Sequence, residues 1–237
     1  MAGGAEPTIG IVGPHELVER IMLSGLPLST GAGPGQPPER GEAPARRLVT
    51  AAYREEQEAP EKVARLGSTV DACLFASRVP YEFARRAGVL TVPATYIQLG
   101  GSALYAAMLR ASRDGLDIAK SSIDVISPAD TEDAFAELGL AADNIHVREE
   151  VSGAAVIAAF HERLWHSGEI AVAFTCVPSV ARKLAAAQVP AFLLRPTGSA
   201  IRAALRTGTL LAGYRRLENA QLAVVIVEVP TLRDTVR

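Results

Sequence analysis

Two stretches decide the fold: Asp71–Pro80, DACLFASRVP, and Glu169–Pro178, EIAVAFTCVP. Each is an apolar run that passes through a polar turn into Val-Pro. Val79-Pro80 and Val177-Pro178 stand 98 residues apart (177 − 79). Val92-Pro93 and Val189-Pro190 stand 97 apart (189 − 92), as do Gly101-Ser102-Ala103-Leu104 and Gly198-Ser199-Ala200-Ile201 (198 − 101). Three landmarks within one residue of a common period predict an internal repeat. The repeat implies two similar lobes, one around residues 71–113 and one around 169–211.

Outward from these stretches, apolar runs alternate with segments of helical periodicity. Strands are expected at residues 8–12, 48–52, 72–76, 92–97, 123–126, 144–147, 170–174 and 191–194. Helices are expected after Gly13-Pro14 and at 55–66, 81–87, 102–113, 131–138, 153–165, 179–187 and 200–211. Alternation with short connections implies parallel sheets and right-handed crossovers. The predicted class is α/β, with two Rossmann-like lobes and a ligand cleft between them. The first lobe is expected over 1–115, with 26–46 as a flexible Pro/Gly-rich surface loop. The second is expected over 116–213. Residues 214–230 would return as a strand, the unbroken apolar run Leu222–Val229 being typical of a strand covered on both faces. Residues 231–237 would form a tail or the start of a linker.

The chain has 237 residues, 24 Lys+Arg against 26 Asp+Glu, and a net charge of −2. That balance offers no electrostatic footprint for nucleic acid. No apolar run reaches the roughly 18–20 residues of a membrane span, and the first residues do not resemble a signal peptide. Two cysteines cannot build a disulfide framework, so a reducing cytoplasm is the expected compartment.

In open parallel sheets, ligands sit beyond the carboxyl ends of the strands. The candidate ligand residues are therefore Ser77, Arg78, Gln98, Gly100, Gly101 and Ser102 in the first copy. Thr175, Cys176, Arg195, Thr197, Gly198 and Ser199 are their counterparts in the second, and Pro14 and His15 follow the first strand. Gly-Ser before a helix leaves backbone N–H groups open to a ligand, although it also serves as an ordinary cap. Arg78 and Arg195 can each hold a carboxylate or phosphate through paired hydrogen bonds, which favours an anionic guest. The alternative for Arg195 is a solvated surface arginine.

Racemases of the aspartate/glutamate type pair one thiol from each lobe. Under the repeat offset Cys73 aligns with Ala171 and Cys176 with Arg78, so a two-thiol mechanism fails on register. The competing reading is a racemase-like or lyase-like enzyme using Cys176 alone. Cys176 sits at a strand end, as an acid/base thiol would. Cys73 falls in mid-strand and is expected to be a buried structural residue. His15, His146, His161 and His166 have no metal-ligand spacing, because His161 and His166 are five apart where a shared helical face needs three or four. Asp130, Glu132 and Asp133 read as the acidic first turn of a helix. No dinucleotide fingerprint, phosphate-binding lysine loop or nucleophile elbow is present. No cofactor and no metal are expected.

The run Asp71-Ala72-Cys73-Leu74-Phe75-Ala76-Ser77-Arg78, with Ala87-Gly88 and Val92-Pro93 after it, resembles the N-terminal sensor domain of propionate-catabolism-type transcriptional activators. Ile9-Gly10-Ile11-Val12-Gly13-Pro14, Val180–Ala185 and Gly198–Leu205 extend the resemblance over nearly the whole chain. It implies a two-lobed receptor that binds a small organic acid between its lobes and signals to an output domain or a partner regulator. Such a domain would not itself bind nucleic acid or membrane, and a homodimer is open to it. The implied ligand region falls on Ser77 and Arg78, on 98–102 and on 197–199. One departure stands out: the family's Gly-Gly-Thr after Ser-Arg is here Val79-Pro80-Tyr81, which removes a glycine-dependent contact. The two other readings are an enzyme acting through Cys176 and an interaction or dimerisation module without ligand.

Overall fold

The structure, a computed structural model, describes residues 6–25 and 46–219. Four parallel strands, β1 (Thr8–Pro14), β2 (Arg47–Tyr53), β3 (Ala72–Phe75) and β4 (Ala94–Tyr96), form a sheet in the order β2-β1-β3-β4. A second sheet repeats that order as β6-β5-β7-β8, with β5 (Ser121–Asp124), β6 (Ile145–Arg148), β7 (Val172–Thr175) and β8 (Ala191–Leu193). Helices α1 (His15–Gly25), α2 (Ala59–Leu66), α3 (Arg78–Arg86), α4 (Gly101–Arg113), α5 (Pro128–Glu137), α6 (Ala154–His166), α7 (Pro178–Ala186) and α8 (Gly198–Asn219) connect and cover the strands. This is the predicted two-lobed α/β architecture. All but the last residue of the expected Pro/Gly-rich loop 26–46, the apolar run 222–229 and the tail 231–237 lie outside the described residues.

The central strands are buried on both faces, which is why β3 and β7 read as continuous apolar runs. Gly13 lies where the ends of β1 and β3 approach closely. A Cβ there would sit 2.7 Å from Ala76 Cβ and 3.3 Å from Val18 Cγ2.

The repeat is real, but one landmark does not belong to it. Cys73 N–H donates to Pro93 O and Ala173 N–H to Pro190 O; Ile97 N–H donates to Phe75 O and Leu194 N–H to Thr175 O. Equivalent residues of β3 and β7 are therefore 100 apart (173 − 73), while those of β4 and β8 are 97 apart (190 − 93). The turn between helix and strand is shorter in the second lobe. Pro80 lies inside the first turn of α3, whereas Val177 is the N-cap of α7 and Pro178 its first residue. The two Val-Pro pairs near the helix starts are thus not equivalent. Cys176 matches Ala76, not Arg78, and Cys73 matches Ala173.

The lobes exchange their last helices. The helix α4 follows the first sheet in sequence, yet its Ala103, Leu104, Ala107, Met108 and Ala111 pack with Ile123, Phe135 and Phe174 of the second lobe. In return α8 sends Ile201, Ala204, Leu205 and Ala212 into the first core, against Ile9, Ile11, Leu74 and Ile97. Cuts at residues 115 and 213 therefore do not follow the packing. Burying a Leu or Met side chain contributes about 1.5–3 kcal/mol, so each sheet depends on a helix that the other half supplies. Residues 214–219, expected to begin a return strand, continue α8. The chain crosses between lobes just after β4 and just after β8.

Candidate functional site

The carboxyl ends of the two sheets face each other across a cavity of about 420 Å³, in the range of small-molecule sites. The first lobe supplies Ser77 and Arg78 from the end of β3 and Tyr96–Gly101 from the first crossing, with Tyr105 on α4. The second supplies Val125, Ile126 and Ser127 after β5, Asp130, Asp133, Ala134 and Glu137 on α5, and Cys176 after β7. In the second sheet this places the cavity between β5 and β7, where the strand order reverses and doubly wound sheets usually bind ligands.

Of the residues singled out in the sequence, Ser77, Arg78, Gln98, Gly100, Gly101 and Cys176 come together on this cavity. Arg195 and Thr197 line a separate cavity on the second crossing. Pro14, His15, Ser102, Thr175, Gly198 and Ser199 line neither. His15, Ser102 and Ser199 are exposed. Thr175 is buried, and its hydroxyl accepts the Val177 N–H at 3.1 Å. Thr197 accepts the Ala200 N–H at 3.2 Å and lies 2.8 Å from the Ser199 hydroxyl, so this pair closes the start of α8.

The residues missed are those after β5. Ser127 caps α5, its hydroxyl accepting the Asp130 N–H at 3.1 Å and donating to the Asp130 carboxylate at 2.7 Å. Asp130 and Asp133, read as an ordinary acidic first turn, also face the cavity. The strand-end rule applied to β5 would have found them. Val125 is a β-branched residue held at φ 60°, in the left-handed region. Such a conformation is costly and aims the chain from β5 into the cavity wall.

Among the described residues the lining carries one cation, Arg78, and three carboxylates, Asp130, Asp133 and Glu137. Arg78 itself reaches Glu149 at 3.5 Å. The starts of α3 and α4, at Ser77 and Gly100, have no side-chain cap and so leave backbone donors at the cavity edge. Tyr105 donates to the Glu137 carboxylate, and that bond raises the phenol above its usual range. Burial pushes the Cys176 thiol well above its ordinary value, and the nearby Asp124 charge pushes it the same way. Cys176 is therefore a neutral thiol at physiological pH.

Behind the wall lies a fully buried polar chain. Ser122 Oγ is 2.6 Å from His161 Nδ1, and His161 Nε2 is 3.1 Å from Asp124 Oδ2. The other carboxylate oxygen accepts the Cys176 N–H at 2.9 Å. A carboxylate only accepts, so in the neutral ring Nε2 donates to Asp124 and Nδ1 accepts from Ser122. The order is that of a catalytic triad, but the serine has no access to a substrate. Its effect is to fix the ends of β5 and β7 at the cavity.

The lobes also touch directly. Buried Glu56, on a turn after β2, accepts from the N–H and hydroxyl of Ser179 on α7. Arg182 reaches Glu55 at 2.6 Å, and Arg86 donates to Val151 O at 3.0 Å. Among the described residues no cluster of three or more His, Cys, Asp or Glu could hold a metal ion, and no helix is long and apolar enough to cross a membrane.

These features define a two-lobed α/β fold with a polar cavity between its sheets. The chain is similar to the crystal structure of an NtrC-family transcriptional regulator from Clostridium acetobutylicum, at 14% identity and a TM-score of 0.64, covering 90% of this chain and 100% of that one. A LacI-family transcriptional regulator from Arthrobacter sp. FB24, in complex with lactose, aligns at 15% identity and a TM-score of 0.33 over 83% of this chain and 75% of that one. An aspartate racemase homologue from Pyrococcus horikoshii OT3 aligns at 13% identity and a TM-score of 0.33 over 85% of this chain and 99% of that one. No protein-family model and no curated protein matches the sequence.

Proposed function

We propose that this chain is the ligand-sensing domain of a transcriptional regulator, which binds a small polar molecule between its lobes and passes the resulting change of closure to an output domain or partner. The observation that carries the reading is the cavity itself, walled by polar strand-end residues of both lobes and bordered by one of the two crossings. A guest touching Arg78 and Ser77 on one side and Ser127 and Asp130 on the other is held only when the lobes meet, so it shifts the open–closed equilibrium. The fold shared with an NtrC-family regulator supports the regulatory assignment. Three carboxylates against one guanidinium disfavour a simple anion. The lining suits a zwitterion, its acidic end at Arg78 and the helix starts, its cationic end at Asp130, Asp133 and Glu137.

A thermal-shift screen of amino acids, amino sugars and organic acids tests this. Amine-bearing ligands should raise the melting temperature, and Arg78→Ala should weaken the best of them at least tenfold without altering the unliganded midpoint. No shift with any of these compounds would remove the proposal.

The enzyme reading rests on Cys176 reaching the same cavity. Its raised pKa and the position of Cys73, buried in β3 away from the cavity, weigh against a two-thiol mechanism. Turnover that survives Cys176→Ala would end that reading. A module without ligand would need a filled, apolar seam between the lobes, whereas the seam here holds a polar cavity.

A further inference from the structure

We propose a second binding site, for a multivalent oxyanion, in the cavity of about 460 Å³ on the second crossing. Three arginines line it from three elements: Arg20 on α1, Arg110 on α4 and Arg195 on the segment after β8, with Thr197 beside them. No carboxylate among the described residues lines this cavity. Among the described residues no ion pair involves Arg20, Arg110 or Arg195, although Glu16 stands one turn before Arg20 on the same helix. Like charges brought together without counter-charge oppose folding, and an anion with two or more charges relieves the repulsion.

One of the three is held in place by neutral groups. Arg110 donates to Leu193 O at 2.9 Å and to Ala106 O at 3.2 Å, and its Cζ lies 6.0 Å from the Phe192 ring centroid. These partners fix the side chain without cancelling its charge. The site is also separate from the inter-lobe cavity. On α4, Gly101 and Tyr105 border that cavity, whereas Ala103, Ala106 and Arg110 border this one, more than a quarter-turn round the helix. Arginine forks bind phosphate and carboxylate oxygens in the same way, so the shared chemistry is a polyanion of phosphoryl or carboxylate oxygens. Because Arg20 belongs to the first lobe and Arg110 packs with the second, a bound anion ties the lobes together at the crossing.

Calorimetric titration with inorganic pyrophosphate and with citrate tests the site in the wild-type chain, in Arg20→Gln/Arg195→Gln and in Arg78→Ala. Among the described residues neither Arg20 nor Arg195 makes a side-chain hydrogen bond, so the double variant should fold normally, with an unchanged circular dichroism spectrum. At least one of the two anions should bind, at least tenfold more weakly in the double variant and more weakly with added salt. Preference for pyrophosphate marks a phosphoryl ligand and preference for citrate a carboxylate one. Absence of binding by both, equal binding in the double variant, or loss confined to Arg78→Ala would overturn the proposal. The last result would place the anion between the lobes and leave the sensing proposal standing.

Discussion

Glu56, on the turn after β2 of the first lobe, accepts the backbone N–H of Ser179, the second residue of α7 in the other lobe, at 3.5 Å, and also its hydroxyl. The carboxyl group is buried where the lobes meet. Burial raises its pKa above the ordinary 4.5, although the two Ser179 bonds pull the other way.

This pair makes lobe closure depend on pH. Opening returns Glu56 to water and to its ordinary value, so the closed form holds the proton more tightly. Its contribution to closure is fully present below the ordinary carboxylate pKa and is lost as pH rises through the raised one. Each unit of difference changes the closure equilibrium about tenfold. Small-angle scattering from pH 4 to 8 should show a radius of gyration that grows with pH in the wild type. In Glu56→Gln that growth should vanish, and an unchanged pH profile in this variant would refute the coupling.

The buried chain of Ser122, His161 and Asp124 acts through position, not chemistry. His161→Ala leaves the Ser122 hydroxyl without its partner and the buried Asp124 carboxylate with the Cys176 N–H alone, and removing one member of a buried pair costs about 3–5 kcal/mol. Ser122→Ala removes only a neutral bond and should cost about 1 kcal/mol. Urea denaturation checks both. Because Asp124 also holds the Cys176 N–H, His161→Ala should weaken ligand binding in the inter-lobe cavity as well. If both variants kept wild-type stability, the chain would have no structural role.

The thiols should be inert in the folded protein. Burial holds Cys176 well above its usual pKa and pushes Cys73 up to about 12. Thiolate is the reacting form, so iodoacetamide at pH 8 should modify native protein at least a hundredfold more slowly than protein unfolded in urea. Rapid labelling of Cys176 alone would revive the enzyme reading.

Strand and helix alternation was legible because burial on both faces leaves no room for polar residues in β3 and β7. The helix exchange was not. The apolar stripe of α4 announces that Leu104 and Met108 are buried, but a stripe carries no record of which sheet covers it. The polar core escaped for a similar reason: His161 meets Asp124 across 37 residues of sequence, and no local spacing joins them. Glu56 fell within the helix expected over 55–66, in a run of acidic residues where nothing local marks one carboxylate as buried. The Val-Pro pairs near the helix starts misled because proline suits the first turn of any helix, so prolines at the third position of α3 and the first position of α7 produced one apparent register. The site was half visible, since the strand-end rule found Ser77, Arg78 and Cys176 but was not carried to β5.

The corrected register supplies its own test at the ends of α3 and α7. Gly88, after α3, adopts φ 68°; Gln188, 100 residues on, adopts φ 58° after α7. A left-handed residue closing a helix is normally glycine, and a side chain there costs about 1–2 kcal/mol. Gln188 is exposed, and among the described residues its side chain makes no bond to offset that cost. Gln188→Gly should therefore stabilise the protein, after subtracting the roughly 0.4–1 kcal/mol by which glycine loosens the unfolded chain, by about 0.5–1 kcal/mol. Gly88→Ala, the mirror change in the first lobe, should destabilise it by a similar amount, since nothing lies within 4 Å of the added Cβ and backbone strain alone decides the result. Denaturation midpoints that moved in the same direction for both variants would show that the two helix ends are not equivalent, and the 100-residue correspondence between the lobes would fail at this point.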